Sequence, residues 1–266
     1  MKLGIIGYGN IGQLITENLL KLQLINEENL VISNRTIKKL DEIKQYYPNI
    51  QVTNNNIELA KECEKIIICV KPNEFKDILL EIKPYLNEKR HIIHTCAGIN
   101  FKDINEYYEG SVTTIIPTIT SSFTSREDPQ KGISLILHND KVNFLNQNYI
   151  ETIFNRFSYV KILLNEEDLE IATILTSCGG AFIAQIIKTI SEKVGENSSF
   201  TNEECEYLIN KTLIGTGLVL NSNISTDEVM DKVATKGGIT EKGLNYLEEV
   251  TPEINEELFK ILLKEF

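Results

Sequence analysis

Apolar and polar positions along this chain follow two rhythms, and the change between them falls near residue 163. Before it, short apolar runs alternate with amphipathic stretches. Lys2 to Ile6 reads as a buried strand, and Ile11, Leu14, Ile15, Leu19 and Leu22 recur at helical spacing behind it. Leu30–Ser33, Ile50–Val52, Lys65–Val70 and His91–Thr95 read as further strands, with helices predicted over Ile57–Cys63 and Phe75–Leu86. Val112–Ile116 and Ile133–Leu137 complete the strand set. Fully apolar strands alternating with helices predict a parallel sheet covered on both faces.

After Asn165 the strand signal disappears. Glu166–Val194, Thr201–Leu220, Ser225–Ala234, Ile239–Glu249 and Pro252–Phe266 are predicted helices, with Thr201 and Glu204 as a capping box and Thr251-Pro252 as a start signal. Their apolar faces, such as Ile174, Ile183, Ile186, Ile187 and Ile190, exceed what about 100 residues bury alone. They call for packing against the first domain, another subunit, or both. The expected fold class is α/β: a Rossmann-type domain over residues 1–163 and an all-helical domain over 164–266.

Composition narrows the functional classes. Hydrophobic residues make up 42% and charged residues 24%, the balance of a soluble globular protein. A formal net charge of −11 argues against a nucleic-acid partner, which needs a Lys/Arg-rich surface. No unbroken apolar run approaches the ~20 residues that span a bilayer, and Gly7, Gly9 and Asn10 interrupt the N-terminal stretch too early for a signal peptide. Cys63, Cys69, Cys96, Cys178 and Cys205 are widely spaced, form no CxxC and have no His at metal-ligand spacing. Reduced thiols, no metal, no membrane partner and a cytoplasmic location are expected.

The chemistry is concentrated in Gly7-Tyr8-Gly9-Asn10-Ile11-Gly12, a G-x-G-x-x-G string between a strand and a helix. In that context Gly7 permits the tight turn, Gly9 leaves room for a pyrophosphate, and Gly12 allows the helix to approach the strand. Ile11 and Asn10 begin the helix whose N–H groups and dipole favour a phosphate. An NAD site places a carboxylate at the end of the second strand, but the chain reads Ser33-Asn34-Arg35-Thr36, with no carboxylate before Asp41. Asn34, Arg35 and Thr36 can surround a 2′-phosphate, with Arg35 forking onto it or stacking on adenine. NADP(H) is the expected cofactor.

Six strings in register resemble pyrroline-5-carboxylate reductase: Gly7–Gly12, Ser33–Thr36, Val70-Lys71-Pro72, Thr95–Ile99, Ser177–Phe182 and Lys236–Thr240. The resemblance implies reduction of 1-pyrroline-5-carboxylate to L-proline by hydride from a nicotinamide, in an intertwined homodimer or larger homo-oligomer held together by the helical domain. It implies that Val70, Lys71 and Pro72 flank the cofactor and that Ala97 and Gly98 approach the nicotinamide. It places the imino-acid substrate on the stretch containing Thr235, Gly237, Gly238 and Ile239, with glycine N–H groups on its carboxylate and the Thr240 hydroxyl at the ring nitrogen. Bland readings of the same residues stay open: Gly237-Gly238 as a helix cap, Thr240 as the next N-cap, Lys71 as a solvated charge.

The chain also departs from the family pattern. Thr114-Ile115-Ile116-Pro117-Thr118-Ile119-Thr120 stands where members carry Arg-Val-Met-Pro-Asn-Thr-Pro, and Thr235-Lys236 replaces the Ser-Pro before the glycine pair. These variations are similar to a divergent ComER-type branch associated with competence operons. Two alternatives to the reductase follow: a dinucleotide-binding regulatory protein without catalysis, and an NADP-dependent oxidoreductase for another substrate.

Overall fold

The computed structural model describes residues 1–123 and 132–264. The chain divides into two compact units, Met1–Ser177 and the remainder from Cys178 onward.

The first unit is built on an eight-stranded sheet of order β3-β2-β1-β4-β5-β6-β7-β8. The strands are β1 (Leu3–Ile6), β2 (Leu30–Ser33), β3 (Gln51–Thr53), β4 (Lys65–Ile68), β5 (His91–His94), β6 (Ser111–Pro117), β7 (Gly132–His138) and β8 (Ser158–Ile162). The helices between them are α1 (Asn10–Lys21), α2 (Asp41–Tyr46), α3 (Asn56–Glu62), α4 (Pro72–Ile82), α5 (Phe101–Asn105) and α6 (Phe144–Phe154). The period-two alternation of the strands sorts their side chains onto two covered faces. Leu3, Ile5 and Ile32 pack with Leu14, Ile15 and Leu19 of α1 and Ile150 and Phe154 of α6. Ile6, Val31 and Ile66 pack with Leu59 of α3 and Phe75, Leu79 and Ile82 of α4.

The expectation of an all-parallel sheet is corrected at one pairing. β6 and β7 run antiparallel, with Ile115 opposite Ile136, while every other pair is parallel. The described part of the link after Pro117 is a short 3-10 turn over Ile119–Phe123, and antiparallel pairing does not need the crossover connection that parallel pairing requires. Sequence reading also passed over α6 and β8. The edge strand β8 leaves Tyr159, Lys161 and Ile162 exposed, so its apolar signal is weak.

The helical half begins with α7 (Glu166–Thr173), continues through a π-helical turn (Ile174–Cys178) and passes into α8 (Gly179–Glu196). This continuous helix is long and apolar enough to cross a membrane by length and composition, although only 11% of its apolar window is buried. Helices α9 (Asn202–Leu220), α10 (Thr226–Val233) and α11 (Ile239–Leu262) follow. The capping box forms as the sequence predicts: the Thr201 hydroxyl accepts from the Glu204 N–H, and the Glu204 carboxylate accepts from the Thr201 N–H. Ser225 and Glu228 repeat the device on α10.

One start signal is overturned. Ile239–Glu249 and Pro252–Phe266 are not two helices, because α11 runs through Pro252. The Thr251 hydroxyl does not cap a new helix; it donates back to the Leu247 carbonyl at 2.6 Å. Proline lacks the N–H that would bond the preceding turn, yet α11 continues through it. The end of the second predicted helix, residues 265–266, lies outside the described residues.

Across α8, α9, α10 and α11 only Ser191 and Cys205 are buried. Ile183, Ile186 and Ile190 line one stripe of α8 and stay exposed, as do Leu213, Ile214 and Leu218 on α9. Such a set of apolar side chains has no core of its own within the described residues, which agrees with the sequence expectation of a partner surface.

Candidate functional site

The order in which strands are added to the sheet reverses at β1, whose parallel neighbours are β2 on one side and β4 on the other. A crevice opens beyond the carboxyl ends of strands at such a switch point. Gly7, Tyr8 and Gly9 follow β1, Asn34, Arg35 and Thr36 follow β2, and Val70 and Lys71 follow β4. All of them line one cleft of about 680 Å³.

The three glycines of the loop have distinct geometries. Gly7 has φ +95°, and a Cβ there would lie 2.4 Å from the Cys69 carbonyl oxygen. A Cβ on Gly12 would lie 2.1 Å from the Gly7 carbonyl oxygen, so α1 approaches the loop only because that side chain is absent. A Cβ on Gly9 would meet nothing within 4 Å. Gly7 and Gly12 are therefore set by packing, and Gly9 by open space in front of the helix. Helix α1 starts at Asn10 with no side-chain cap on its first-turn N–H groups, and Ile11 sits in that same turn. Uncapped amides and positive dipole facing an open hollow suit an anion.

Asn34 shapes the cleft from within. Its Oδ1 accepts from the Tyr8 N–H at 3.1 Å and its Nδ2 donates to the Thr36 carbonyl at 2.9 Å. The side chain ties the glycine loop to the turn after β2. Arg35 is exposed, and its guanidinium lies 3.6 Å from the Glu74 carboxylate on α4. Lys39, Glu74 and Glu81 also line the cleft, none of which the glycine or strand-end motifs single out. Lys39 and Glu74 lie within about one helical turn of those motifs, whereas Glu81 sits more than two turns along α4 and has no signal in the motifs at all.

Pro72 opens α4 at its first position, where a missing N–H costs nothing. Ala97 and Gly98 follow β5 and line a small hollow with Ile116, Glu166, Glu170 and Thr173. The Cys96 thiol donates to the Val70 carbonyl at 3.3 Å, fastening this loop to the one after β4. Burial pushes the thiols of both Cys69 and Cys96 up to about 12, so neither is a nucleophile. Burial likewise holds the Tyr8 phenol well above its usual range, with Glu17 adding to the effect. Glu170 is shifted upward by partial burial and by Glu166 and Glu167.

The altered residues after β6 are structural. The Thr118 and Thr120 hydroxyls lie 2.8 Å apart, and Thr118 Oγ1 accepts from the Ile133 N–H at 2.9 Å. They close the end of the β6–β7 pair.

The second unit carries the Thr235–Thr240 stretch. Gly237 has φ +76°, which favours glycine, and its N–H donates to the Glu241 carboxylate at 2.7 Å. The Gly238 N–H donates to the Thr235 carbonyl at 2.8 Å, and a Cβ on Gly238 would lie 2.5 Å from Thr235 Oγ1. Gly238, not Thr240, is the N-cap of α11. Thr240 is a first-turn residue, half-buried, and no hydrogen bond engages its hydroxyl among the described residues. Ile239 is 90% exposed. The cap reading of Thr240 is thereby removed, and its hydroxyl is left available. Among the described residues no cluster of His, Cys, Asp and Glu is arranged for a metal.

A switch-point cleft with a glycine loop, followed in the chain by a helical unit whose apolar faces are open, defines a dinucleotide-binding oxidoreductase architecture. Comparison with known proteins narrows the class. Residues 2–98 match the family model described as NADP oxidoreductase coenzyme F420-dependent, and residues 166–259 match pyrroline-5-carboxylate reductase dimerisation. A pyrroline-5-carboxylate reductase from Methanobrevibacter smithii is 41% identical over 94% of this chain and 98% of its own length. ComE operon protein 4 from Bacillus subtilis is 27% identical over 98% of this chain and 93% of its own length. A crystal structure of Plasmodium falciparum pyrroline carboxylate reductase with NADP bound superposes with a TM-score of 0.83 at 25% identity, covering 99% of this chain and 95% of that one. The chain belongs to the pyrroline-5-carboxylate reductase family.

Proposed function

We propose that this protein is an NADP-dependent oxidoreductase acting on a C=N bond, reducing 1-pyrroline-5-carboxylate to L-proline in proline biosynthesis. The observation that carries the reading is the 41% identity to a reductase across both units, joined to a cleft shaped for a dinucleotide. The same identity favours catalysis over a purely regulatory role, because the similarity to the competence-operon protein is lower, at 27%. The domain division implied by the function is residues 1–163 for the cofactor and 164–266 for dimerisation and substrate.

The residues fit a dinucleotide. The open space at Gly9 and the uncapped start of α1 suit a pyrophosphate on the N–H groups of Asn10, Ile11 and Gly12. Asn34 holds the loop that frames the adenosine half, with Arg35 and Thr36 at its rim. Val70 and Lys71 bound the cleft from the β4 side, with Pro72 next in the chain at the start of α4, and Ala97 and Gly98 lie on the next loop toward the reacting end. Bound NADPH supplies a hydride from the nicotinamide ring.

The chain's own task is then to hold and orient the imine. A protonated imine is already electrophilic, so positioning carries most of the catalysis. The N–H groups of Gly237 and Gly238 sit at the start of α11 with its positive dipole end, which suits a carboxylate. In the structure the Gly237 N–H is held by the Glu241 carboxylate and the Gly238 N–H by the Thr235 carbonyl, and both bonds give way when the loop takes a substrate carboxylate under this reading. Thr235 and Ile239 frame that loop, and the Thr240 hydroxyl hydrogen-bonds the ring nitrogen. The exposed stripes of α8 and α9 pack on a second copy of the chain, so the apolar helix faces protein in a soluble homodimer of the cytoplasm, with neither membrane nor nucleic acid as partner.

Thr240→Val tests the site role. With 1-pyrroline-5-carboxylate and NADPH, kcat is expected to fall by roughly 10- to 100-fold, the cost of a hydrogen bond made to the reacting group. The KM for NADPH is expected to stay unchanged. A screen of small cyclic imines under NADPH oxidation tests the substrate: a better substrate than 1-pyrroline-5-carboxylate overturns that assignment.

A further inference from the structure

The chain has three histidines, and two of them share one buried threonine. His91 Nε2 and His138 Nδ1 each lie 2.7 Å from the Thr113 hydroxyl, and His138 Nε2 lies 3.3 Å from a Glu151 carboxylate oxygen on α6. His91 and Thr113 are fully buried and the His138 side chain nearly so, while Glu151 is 36% exposed. A single file of polar groups therefore runs from solvent at Glu151, under α6, into the sheet. It lies outside the cofactor cleft and takes no part in the proposed reaction.

The direction of the hydrogen bonds along this file follows from what each group can donate. A carboxylate only accepts, so His138 Nε2 carries the hydrogen that faces Glu151. In the neutral ring His138 Nδ1 is then a bare acceptor, and the Thr113 hydroxyl gives it its one hydrogen. Thr113 Oγ1 in turn accepts from His91 Nε2–H, which leaves His91 Nδ1 bare. That atom is buried and has no hydrogen-bond partner among the described residues.

A proton arriving at His138 has only Nδ1 to occupy. The Thr113 hydrogen then loses its acceptor, and regains one if His91 presents a bare Nε2 and carries its own hydrogen on Nδ1. One proton is taken up, at His138, and His91 stays neutral. Lys65 on β4 keeps His91 from sharing the charge. The Lys65 ammonium donates to the Asn146 side-chain oxygen and lies 5.1 Å from the centre of the Tyr149 ring, both on α6, with Glu64 the carboxylate acting on it. Helix α6 is thus fastened at both ends of the row, by Asn146 and Tyr149 at Lys65 and by Glu151 at His138.

We propose that Glu151, His138, Thr113 and His91 form a proton-sensing relay, in which charging of His138 reverses the Thr113 hydroxyl, switches the His91 tautomer and loosens α6. A charge placed under the helix favours the state in which α6 lifts and water reaches the ring. Burial lowers the His138 pKa from 6.5 against the opposing pull of Glu151, so the hold on α6 is complete above pH 6.5 and is lost as the pH falls.

Nitrogen-15 NMR of the three histidine rings reads tautomer and charge in the folded protein. At pH 7.5 His91 and His138 are both expected as Nε2–H forms, and His91 is expected to change to Nδ1–H in step with the charging of His138. Glu151→Gln, at the exposed end, can donate as well as accept; it is expected to lower the His138 midpoint and to admit Nδ1–H forms at pH 7.5. Thr113→Val is expected to uncouple His91 from His138. Exchange of α6 amides, corrected for intrinsic rate, is expected to quicken by up to about tenfold per pH unit below the His138 midpoint, while α3 on the opposite face keeps its protection. His91 carrying its hydrogen on Nδ1 at pH 7.5, or keeping one tautomer while His138 charges, overturns the inference. Unchanged protection of α6 overturns it too, as does a parallel loss in α3, since the whole fold is then acid-sensitive without a relay to α6.

Discussion

Gly9→Val is expected to weaken NADPH binding by about 100-fold or more, equivalent to ~2.7 kcal/mol, while the protein stays folded. The space in front of Gly9 is open, so the added side chain meets no protein atom within 4 Å of its Cβ and does not disturb the loop. It occupies the volume in front of the α1 N-terminus that a pyrophosphate needs. The backbone at Gly9 is extended, with φ −88°, which a β-branched residue adopts readily. Gly12→Ala is the contrasting case: its Cβ would lie 2.1 Å from the Gly7 carbonyl oxygen, so folding and binding fall together. Fluorescence titration of NADPH, set beside a urea melt of each variant, separates the two. Retention of NADPH affinity by Gly9→Val would mean that the dinucleotide lies elsewhere.

The second large effect is on stability against acid. His91 and His94 are fully buried on β5, and burial lowers both to about 3 from the usual 6.5. Lys65 and His138 contribute further at His91. His138 on β7 is shifted down by burial as well, against the opposing pull of Glu151. Neutral rings connect these groups: His91 and His138 each lie 2.7 Å from the Thr113 hydroxyl, and His94 Nε2 lies 2.9 Å from the Thr114 hydroxyl.

A histidine whose folded-state pKa is depressed takes up a proton in the unfolded chain first. Its contribution to stability is complete above about pH 6.5 and is lost as the pH falls toward 3. Each such group adds a slope of up to about 1.4 kcal/mol per pH unit within that window. Urea midpoints measured from pH 8 to pH 4.5 are therefore expected to be flat at first and then to drop steeply below pH 6.5. His94→Gln keeps a hydrogen-bonding group for Thr114 and cannot be protonated, so it is expected to make the drop shallower. A midpoint independent of pH down to 4.5 would contradict the buried neutral histidines.

The nucleotide half was the more legible in sequence because its constraints are local. Gly7, Gly9 and Gly12 answer to one turn and the helix that follows it, and the strands β1, β2, β4 and β5 are short, apolar and separately bounded. The β6–β7 reversal was not legible, since strand direction depends on where the connecting chain goes and not on the apolarity of Ile115 or Ile136. β8 escaped because an edge strand buries only part of one face. Pro252 misled for a related reason: a start signal describes what a proline permits, and the length of α11 on either side of it outweighed that local preference. Lys39 and Glu74 were invisible as cleft residues because each is brought there by the turn or helix that bears it. The helical half announced its unmatched apolar faces but not their partner, since Ile186 and Leu218 look the same whether they await protein or lipid.

The central claim is that the two units serve one reaction, the reduction of a cyclic imino acid at the expense of NADPH. Absorbance at 340 nm, followed with purified protein, NADPH and 1-pyrroline-5-carboxylate, tests it most directly. The expected result is saturable oxidation that depends on both reactants, yields proline one-for-one and proceeds less efficiently with NADH. Tight NADPH binding with no oxidation above the imine-free control would contradict it.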